Sequence, residues 1–365
     1  MAININELLE PIAADAPCGA DLRADYTAQS IYYRLRDARS DARAAERAAD
    51  ADASLEPEVA PHWRNVLQLS RAALVRAHDL EIACWLTEAL VRDAGLGGLA
   101  EGAALLESYA AHYWDVVHPL PDEDGMETRL APVAGLNGVG GDGTLIQPLR
   151  KLALFTAGDG AVVMLFQYQQ AEETAGLGDA KRRAARLAAG VADFAKLENE
   201  ARAAGVAHFT ALAQAAQGAL AAWQAMAARF DAVAGADSPP TSRVSEIIGQ
   251  IIQIARRYAP AVAVEAAAIA AGMADDMAEA GGNEGAGGIE AGTKGGVRTR
   301  EDALAQLSEI AAFFRRTEPQ SPIALTLDEA VRRARLPWPQ LIEDILADAA
   351  VRQAMLTALG IKPVG

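Results

Sequence analysis

A glycine-rich loop is the first feature whose residue types could bind a ligand. Residues 138–143 read Gly-Val-Gly-Gly-Asp-Gly and satisfy the G-x-G-x-x-G pattern of dinucleotide-binding sites. Such a site requires a buried strand before the loop and a long helix after it. Residues 129–137 have no strand pattern, and Pro148 interrupts the helix that follows. We therefore interpret the loop as a turn between two helices.

An acidic run could bind a cation together with a nearby histidine. The run is Asp122-Glu123-Asp124-Gly125, and His118 lies shortly before it. A calcium-binding EF-hand loop alternates its acidic ligands, with a glycine at the sixth position and a glutamate at the twelfth. This run has neither spacing. We therefore expect an exposed acidic turn that caps the next helix, and we predict no metal or other cofactor.

The sequence offers little nucleophilic chemistry. No serine lies in a G-x-S-x-G motif, and the two cysteines are Cys18 and Cys84. Cys18 is part of a Pro-Cys-Gly turn without a neighbour that would lower its pKa, so we expect a buried thiol that packs as a small apolar group. We predict no catalytic residues and interpret the protein as a non-enzyme.

Composition limits the classes of partner. The 365-residue chain has a net charge of −16, whereas binding to a phosphate backbone or an anionic lipid requires clustered Lys and Arg. We therefore expect no nucleic-acid partner and no direct membrane insertion. Basic clusters at residues 181–186 and 332–335 have acidic neighbours and no interleaved aromatics, so we interpret both as solvated helix faces or rims of protein contacts.

Three features predict a cytoplasmic protein. Two cysteines are too few for a disulfide framework, which fits a reducing compartment. The first residues lack the basic and apolar regions of a signal peptide. The longest apolar stretch, residues 259–274, contains Pro260 and Glu265 and is shorter than the roughly 20 residues of a membrane-spanning helix.

The hydrophobic pattern predicts a mainly α, multi-domain helical protein with one small β-hairpin near residues 152–168. Hydrophobic residues form 51% of the chain but aromatic residues only 5%, and the abundant alanine favours closely packed helices. Helical periodicity dominates, with stops at Gly95, Gly97 and Pro119. The predicted segments are an N-terminal helical domain (1–170), a middle helical domain (171–274), a Gly-rich flexible linker (275–298) and a small helical C-terminal domain (299–365).

A long apolar seam in the middle domain requires a packing partner. Its residues recur at steps of three and four along one helix and continue on a second helix, so they share one stripe of an αα-hairpin. Two helices alone cover so wide a stripe poorly. Two partners remain open: the chain's own helix at residues 180–204, or a second copy in a homodimer. The seam residues are Phe209, Leu212, Trp223, Met226, Phe230, Ile247 and Ile251.

The C-terminal domain is too small to be stable on a large core of its own. Below roughly 70–80 residues a single core supplies limited stability, and neither a disulfide nor a metal is predicted here. We therefore expect oligomerisation to supply further contacts, and we predict a third helix after Pro337-Trp338-Pro339. The predicted oligomerisation residues are Leu304, Leu307, Ile310, Phe313, Phe314, Pro319, Ser321 and Pro322.

Several dense motifs in the first half of the chain resemble a known family. They are residues 11–22 around Pro-Cys-Gly, Trp63-Arg64, the segment around Trp85, and residues 113–125 with their His-Pro corner and acidic turn. Together they resemble the ImpA-type N-terminal domain of TssA proteins. The resemblance assigns family-signature or partner-docking roles to Pro17, Cys18, Gly19, Asp21, Leu22, Trp63, Arg64, Trp85, Trp114, Asp115, His118, Pro119, Asp122, Glu123, Asp124 and Gly125.

The C-terminal domain carries a second resemblance. Residues 300–303, 313–319 and 321–322 resemble the short class of TssA proteins, whose C-terminal domain forms a ring, although Gln320 departs from that pattern. The family implies a type VI secretion component that docks at the baseplate and primes tail tube and sheath assembly. The implied partners are copies of itself, as dimers assembled into a ring, and the baseplate, tail tube and sheath proteins. The alternative is a general cytoplasmic helical scaffold or adaptor that is not tied to secretion.

Overall fold

Helices form most of the chain, which confirms the mainly α fold. A computed structural model describes residues 5–52, 54, 56–123, 125–259, 300–317 and 323–336. The chain divides into two compact units, Met1–Gly282 and Asn283–Gly365. The helices are α1 (Ile31–Ala51), α2 (Glu56–Leu74), α3 (Leu80–His112), α4 (Glu127–Asn137), α5 (Ile146–Arg150), α6 (Leu165–Ala175), α7 (Ala180–Ala188), α8 (Phe194–Ala204), α9 (Val206–Ala234), α10 (Ser242–Tyr258), α11 (Arg300–Thr317) and α12 (Ile323–Ala334).

Helix α3 is the central element of the first unit. Asp79 caps its N-terminus, because the carboxylate accepts a hydrogen bond from the Ile82 amide at 3.0 Å. The predicted stop at Gly95 is a kink inside the helix, where this residue adopts φ 58° and ψ −126°. Gly97 lies within the continuing helix, and Pro119 lies beyond its end. Because residues all around α3 are buried, it needs packing partners on several sides.

The predicted domain boundary near residue 170 is wrong, because helices on both sides of it share one core. Helix α9 lies along α3, and α10 packs against α9 and α5. One cluster of buried apolar side chains extends from Leu8 to Ala259. The apolar surface of α3 is therefore covered by helices that come much later in the chain, and residues 5–259 form a single folding unit.

The apolar seam is part of that core and not a dimer interface. The rings of Phe230 and Trp114 pack edge to face with their centres 6.1 Å apart. The ring centres of Phe209 and Tyr258 are 4.8 Å apart. The predicted 180–204 helix is two helices, α7 and α8, and α3 takes its place as the main packing partner. Of the two partners left open, packing within the chain is therefore the one the described structure favours, because one copy already covers the seam. The exposed fractions are 0% for Phe209, Trp223, Met226, Phe230 and Ile251 and 6% for Ile247, with Leu212 partly buried.

The predicted β-hairpin is present but shorter than expected. Strands β1 (Ala153–Thr156) and β2 (Val162–Met164) pair in antiparallel orientation. Residues 165–168, which were expected to continue the second strand, begin α6 instead. The hairpin lies against the core through Phe155, whose ring is 5.9 Å from that of Phe209.

The described part of the second unit is a helical pair, α11 and α12. Leu304 and Ala311 on the first helix and Val331 on the second are buried. Leu307 and Phe314 are partly buried, whereas Ile310 and Leu325 are 44% and 73% exposed. The predicted linker at 275–298, the third helix, Pro319, Ser321, Pro322 and the side chain of Phe313 lie outside the described residues.

Candidate docking site

The N-terminal motif, the segment before α3 and the corner after α3 meet in one place. The His78 amide donates to the Cys18 carbonyl at 2.9 Å, and the His118 amide donates to the His78 carbonyl at 3.1 Å. The His118 imidazole adds a third bond from Nε2 to the Gly19 carbonyl at 3.1 Å. This contact joins residues 99 positions apart in the sequence. Two of the family-signature motifs, residues 11–22 and 113–125, therefore meet in one structural junction.

Gly19 is required at this junction for a steric reason. Its φ is 68°, in the left-handed region that side chains rarely adopt. A Cβ atom built on this residue would lie 2.4 Å from the Arg76 carbonyl oxygen. The Pro-Cys-Gly turn therefore brings two backbone segments closer together than any other residue type allows.

Burial favours the neutral forms of three titratable side chains, Cys18, Cys84 and His78. Cys18 is 2% exposed, and burial raises the pKa of its thiol to about 11, so the prediction of a buried, apolar thiol is confirmed. Burial also raises the pKa of Cys84. The fully buried His78 ring stacks on Tyr109 at 4.9 Å, and burial lowers the pKa of this imidazole to about 4. These groups hold the fold together as uncharged packing elements.

An ion-pair cluster attaches the N-terminal motif to α3. Arg23 lies 2.6 Å from Asp79, 2.6 Å from Glu81 and 3.0 Å from Asp21. The Tyr32 hydroxyl donates to Glu81 at 2.9 Å. Because Asp79 is 1% exposed, its charge is desolvated and needs this guanidinium partner. Asp21 thus has a structural role, and Leu22 and Pro17 are partly buried beside it.

A buried arginine organises the corner after α3. Arg129, on α4, is 2% exposed and donates to the carbonyls of three corner residues. The acceptors are Trp114 at 2.7 Å, Pro119 at 2.9 Å and Val117 at 3.1 Å. Its guanidinium also lies 5.1 Å from the centre of the partly buried Trp114 ring. The corner is therefore a fixed shape that α4 holds in place.

The acidic turn lies on the outside of this corner. Asp115, Asp122 and Glu123 are exposed, and Asp124 lies outside the described residues. The Asp122 carboxylate accepts a hydrogen bond from the Thr128 hydroxyl at 2.8 Å, which ties the turn to the first turn of α4. The Gly125 amide closes the turn on the Asp122 carbonyl at 3.0 Å. The structure therefore combines a side-chain tie to α4 with an exposed negative surface.

The tryptophan motifs are internal supports and are not part of the exposed corner. Trp63 is 3% exposed, and the Arg92 guanidinium lies 3.8 Å from its ring centre while pairing with Glu46 at 2.8 Å. Trp85 is 5% exposed and lies 5.6 Å from Tyr32. Of the two roles that the resemblance left open for these rings, family signature or docking, their burial favours a packing role, because both face the core. Of this set only Arg64 is exposed.

The residues that fix the corner could not be selected from the sequence. Arg129 and Arg23 look like any other arginine in a chain that contains many. One feature of the sequence could have indicated these two arginines: each comes just after a signature motif, in a helix that must pack against that motif. Within the part of the chain that the structure describes, no group of three metal-binding side chains occurs, and no helix is long and apolar enough to span a membrane.

Comparisons with known proteins agree with this arrangement. Residues 9–138 match the family "ImpA, N-terminal, type VI secretion system". The type VI secretion system component TssA1 of Pseudomonas aeruginosa is 26% identical over 358 residues, covering 95% of this chain and 96% of the relative. The solved N-terminal domain of the TssA component from Burkholderia cenocepacia, which includes the conserved ImpA region, superimposes with a TM-score of 0.58. It is 28% identical and covers 71% of this chain and 94% of its own. Residues 9–138 thus match the ImpA N-terminal family, and the chain is similar along most of its length to a TssA component of the type VI secretion system.

Proposed function

We propose that this protein is a cytoplasmic assembly factor that forms a ring-shaped oligomer, docks at the type VI baseplate and primes growth of the tail tube and sheath. It acts by binding and not by catalysis. The observation that carries the proposal is similarity to a TssA component along 95% of the chain, which spans both compact units. A ring presents many copies of one binding surface, so weak contacts add up to firm attachment.

The corner formed by residues 114–125 is the proposed docking surface. Its backbone is fixed by Arg129, so a partner meets a preformed shape and little ordering entropy is lost on binding. Its outer edge carries the exposed carboxylates of Asp115, Asp122 and Glu123. A fixed cluster of negative charge favours recognition of a basic patch on a baseplate or tail protein.

Replacing Asp122, Glu123 and Asp124 together with alanine is expected to weaken capture of baseplate and tail proteins by the full chain. The loss should be greatest at low salt, because charge pairing is least screened there. The measurement is affinity capture from the producing bacterium at several salt concentrations, with mass spectrometry counting type VI proteins. The control changes Asp93, Glu101 and Glu246 to alanine, which removes equal charge elsewhere. Equal capture by both triple variants at every salt concentration contradicts the docking role of the turn.

The second compact unit is the proposed source of ring assembly. Its described helical pair leaves the apolar side chains of Ile310 and Leu325 exposed, so both are available for contact with another copy. Covering such surface with neighbouring copies supplies the burial that a small domain lacks. The dimers predicted as building blocks then depend on surfaces other than the α9 seam, which is internal.

Ending the chain after Gly282 is expected to abolish large assemblies. Light scattering should show a much larger mass for the full chain than for the shortened one. Ile310→Asp in the full chain should reduce the mass as well, because a charge buried without a partner in an interface costs several kcal/mol. The matched control is Val206→Asp, since Val206 is a 49% exposed aliphatic residue of the first unit. Equal masses for the full and shortened chains would place assembly outside the second unit.

A further inference from the structure

Helix α7 is the least supported helix of the first unit. It has nine residues and buries none of them, and every residue from 180 to 190 is exposed. Isolated helices shorter than roughly 12–15 residues are marginal in water, because few hydrogen bonds offset the cost of nucleation. The Asp179 carboxylate caps the helix by accepting from the Lys181 and Arg182 amides. At the helix surface, Arg183 donates to the Leu177 carbonyl at 2.9 Å and Arg186 to the Thr174 hydroxyl at 3.5 Å. Such a helix gains most from a second surface to bind.

The two sides of α7 differ strongly in chemistry. Ala180, Ala184, Leu187 and Ala188 are spaced to share one apolar stripe, and Leu187 is 38% exposed. The rest of the helix carries four basic side chains. Two of these, Lys181 and Arg182, have no side-chain hydrogen bond or ion pair among the described residues. A surface complementary to α7 therefore needs a narrow apolar strip with negatively charged side chains beside it.

The first unit carries a groove with those properties. It lies between α4 and the loop at residues 237–240, with a volume of about 910 Å³. Three carboxylates line it, Glu127, Asp142 and Asp237, and no Lys or Arg does so among the described residues. Asp142 pairs with Arg150 at 3.1 Å and with Arg243 at 3.9 Å, and Arg243 also donates to the Gly141 carbonyl. By contrast, Glu127 and Asp237 are exposed and have no side-chain partner in the described structure. Its apolar lining includes Met126, Leu130, Ala134, Val139 and Pro239, of which Val139 is 74% exposed.

We propose that α7 of one copy binds in this groove of a second copy. The charges are complementary: Lys181 and Arg182 supply the positive groups that the exposed Glu127 and Asp237 lack within one chain. A nine-residue helix is roughly 14 Å long and needs only one stripe buried, so an open groove is enough to bind it. Within one copy the contact is not made, since α7 is exposed along its whole length.

This contact is heterologous, because the two copies contribute different surfaces. Repeated head to tail, such a contact generates a ring when its rotation closes and a filament when it does not. The contact is small, so it acts as an additional link between neighbours in an assembly with more than one contact. It is argued from residues 125–240 alone and does not depend on the second compact unit.

Isotope-mixed cross-linking of the full chain tests the contact directly. Chains labelled with ¹⁴N and ¹⁵N are mixed and treated with a carbodiimide, which joins a lysine amine to a carboxylate without a spacer. We expect cross-linked peptide pairs of mixed isotope that join Lys181 to Glu127 or Asp237. Lys196, an exposed lysine outside α7, serves as the internal control and should not form these pairs.

Two variants separate charge complementarity from random encounter. Arg182→Glu with Arg186→Glu keeps Lys181 and both groove carboxylates, so the cross-linking chemistry survives while the yield should fall at least about tenfold. Arg76→Glu with Arg256→Glu makes the same charge change at exposed positions elsewhere and should leave the yield unchanged. Exchanging the charges, with Lys181→Glu, Arg182→Glu, Glu127→Lys and Asp237→Lys in one chain, should restore the cross-link in the opposite direction.

The contact is overturned if mixed-isotope pairs do not include Lys181, or if both arginine variants lose the same yield. Binding of α7 to vesicles of phosphatidylcholine and phosphatidylserine, without these cross-links, would assign the helix to a lipid surface instead. Light scattering of the same samples separates this inference from the proposed ring. A large assembly without cross-links from Lys181 would contradict only the proposed α7 contact. Cross-links from Lys181 in small particles would contradict only the proposed ring.

Discussion

Trp223→Ala is expected to lower the free energy of unfolding of the first unit by about 3–5 kcal/mol, the usual cost of removing a large buried aromatic side chain. Trp223 is 0% exposed, and its indole N–H donates to the Thr241 carbonyl at 3.0 Å, so the replacement leaves a cavity and removes one hydrogen bond to that carbonyl. Urea unfolding of the chain ending after Gly282 measures the effect. Gln224→Ala, an exposed neighbour on α9, should change stability by less than about 0.5 kcal/mol.

The same experiment distinguishes an internal core from a subunit interface. A seam buried within one chain gives an unfolding midpoint that does not depend on protein concentration, whereas an interface gives one that rises with concentration. We expect the unfolding midpoints of Trp223→Ala and Gln224→Ala to stay constant over an about hundredfold range of protein concentration. A midpoint that rises with concentration in the wild type and loses that rise in Trp223→Ala would restore the homodimer as the correct arrangement.

Arg129→Met is expected to cost about 3–5 kcal/mol and to loosen the docking corner. The methionine keeps the apolar stem of the side chain but removes three charge-assisted hydrogen bonds, each typically worth about 1.5–3 kcal/mol. Partial access of water to the freed carbonyls of Trp114, Val117 and Pro119 offsets some of that sum. Hydrogen exchange should therefore rise at residues 113–119, and capture of type VI proteins should fall even when the acidic turn is intact.

Two further variants control the Arg129 result. Arg129→Lys keeps the charge but presents one ammonium instead of a planar fork, so it cannot hold three carbonyls and should lose an intermediate amount. Arg64→Met removes an exposed arginine and should be nearly neutral. Unchanged exchange at residues 113–119 in Arg129→Met would show that the corner holds its shape without this side chain.

Patterns among neighbouring residues correctly predicted those elements that depend only on neighbouring residues. The three-and-four spacing from Phe209 to Phe230 predicted α9, because a helix places such residues on one stripe. The turn residues at 158–160 predicted the hairpin, and the glycines at 138–143 predicted an interhelical turn rather than a nucleotide site. The buried thiol at Cys18 followed from its apolar turn and lack of activating neighbours. Each of these predictions needed only residues close together in the chain.

What the tertiary structure alone decided is which of these elements meet. The α9 seam packs against α3, which lies far upstream in the sequence. The spacing of apolar residues predicts that one face of a helix is buried, but it does not identify the element that covers that face. For the same reason the sequence divided residues 5–259 into two domains where one core exists. The roles of Arg129 and Arg23 also arise from long-range approach, since an arginine becomes a structural anchor only where folding removes water and supplies acceptors. Likewise, α7 has a basic face in the sequence, but only the folded chain leaves that face uncovered and places an acidic groove elsewhere on the surface.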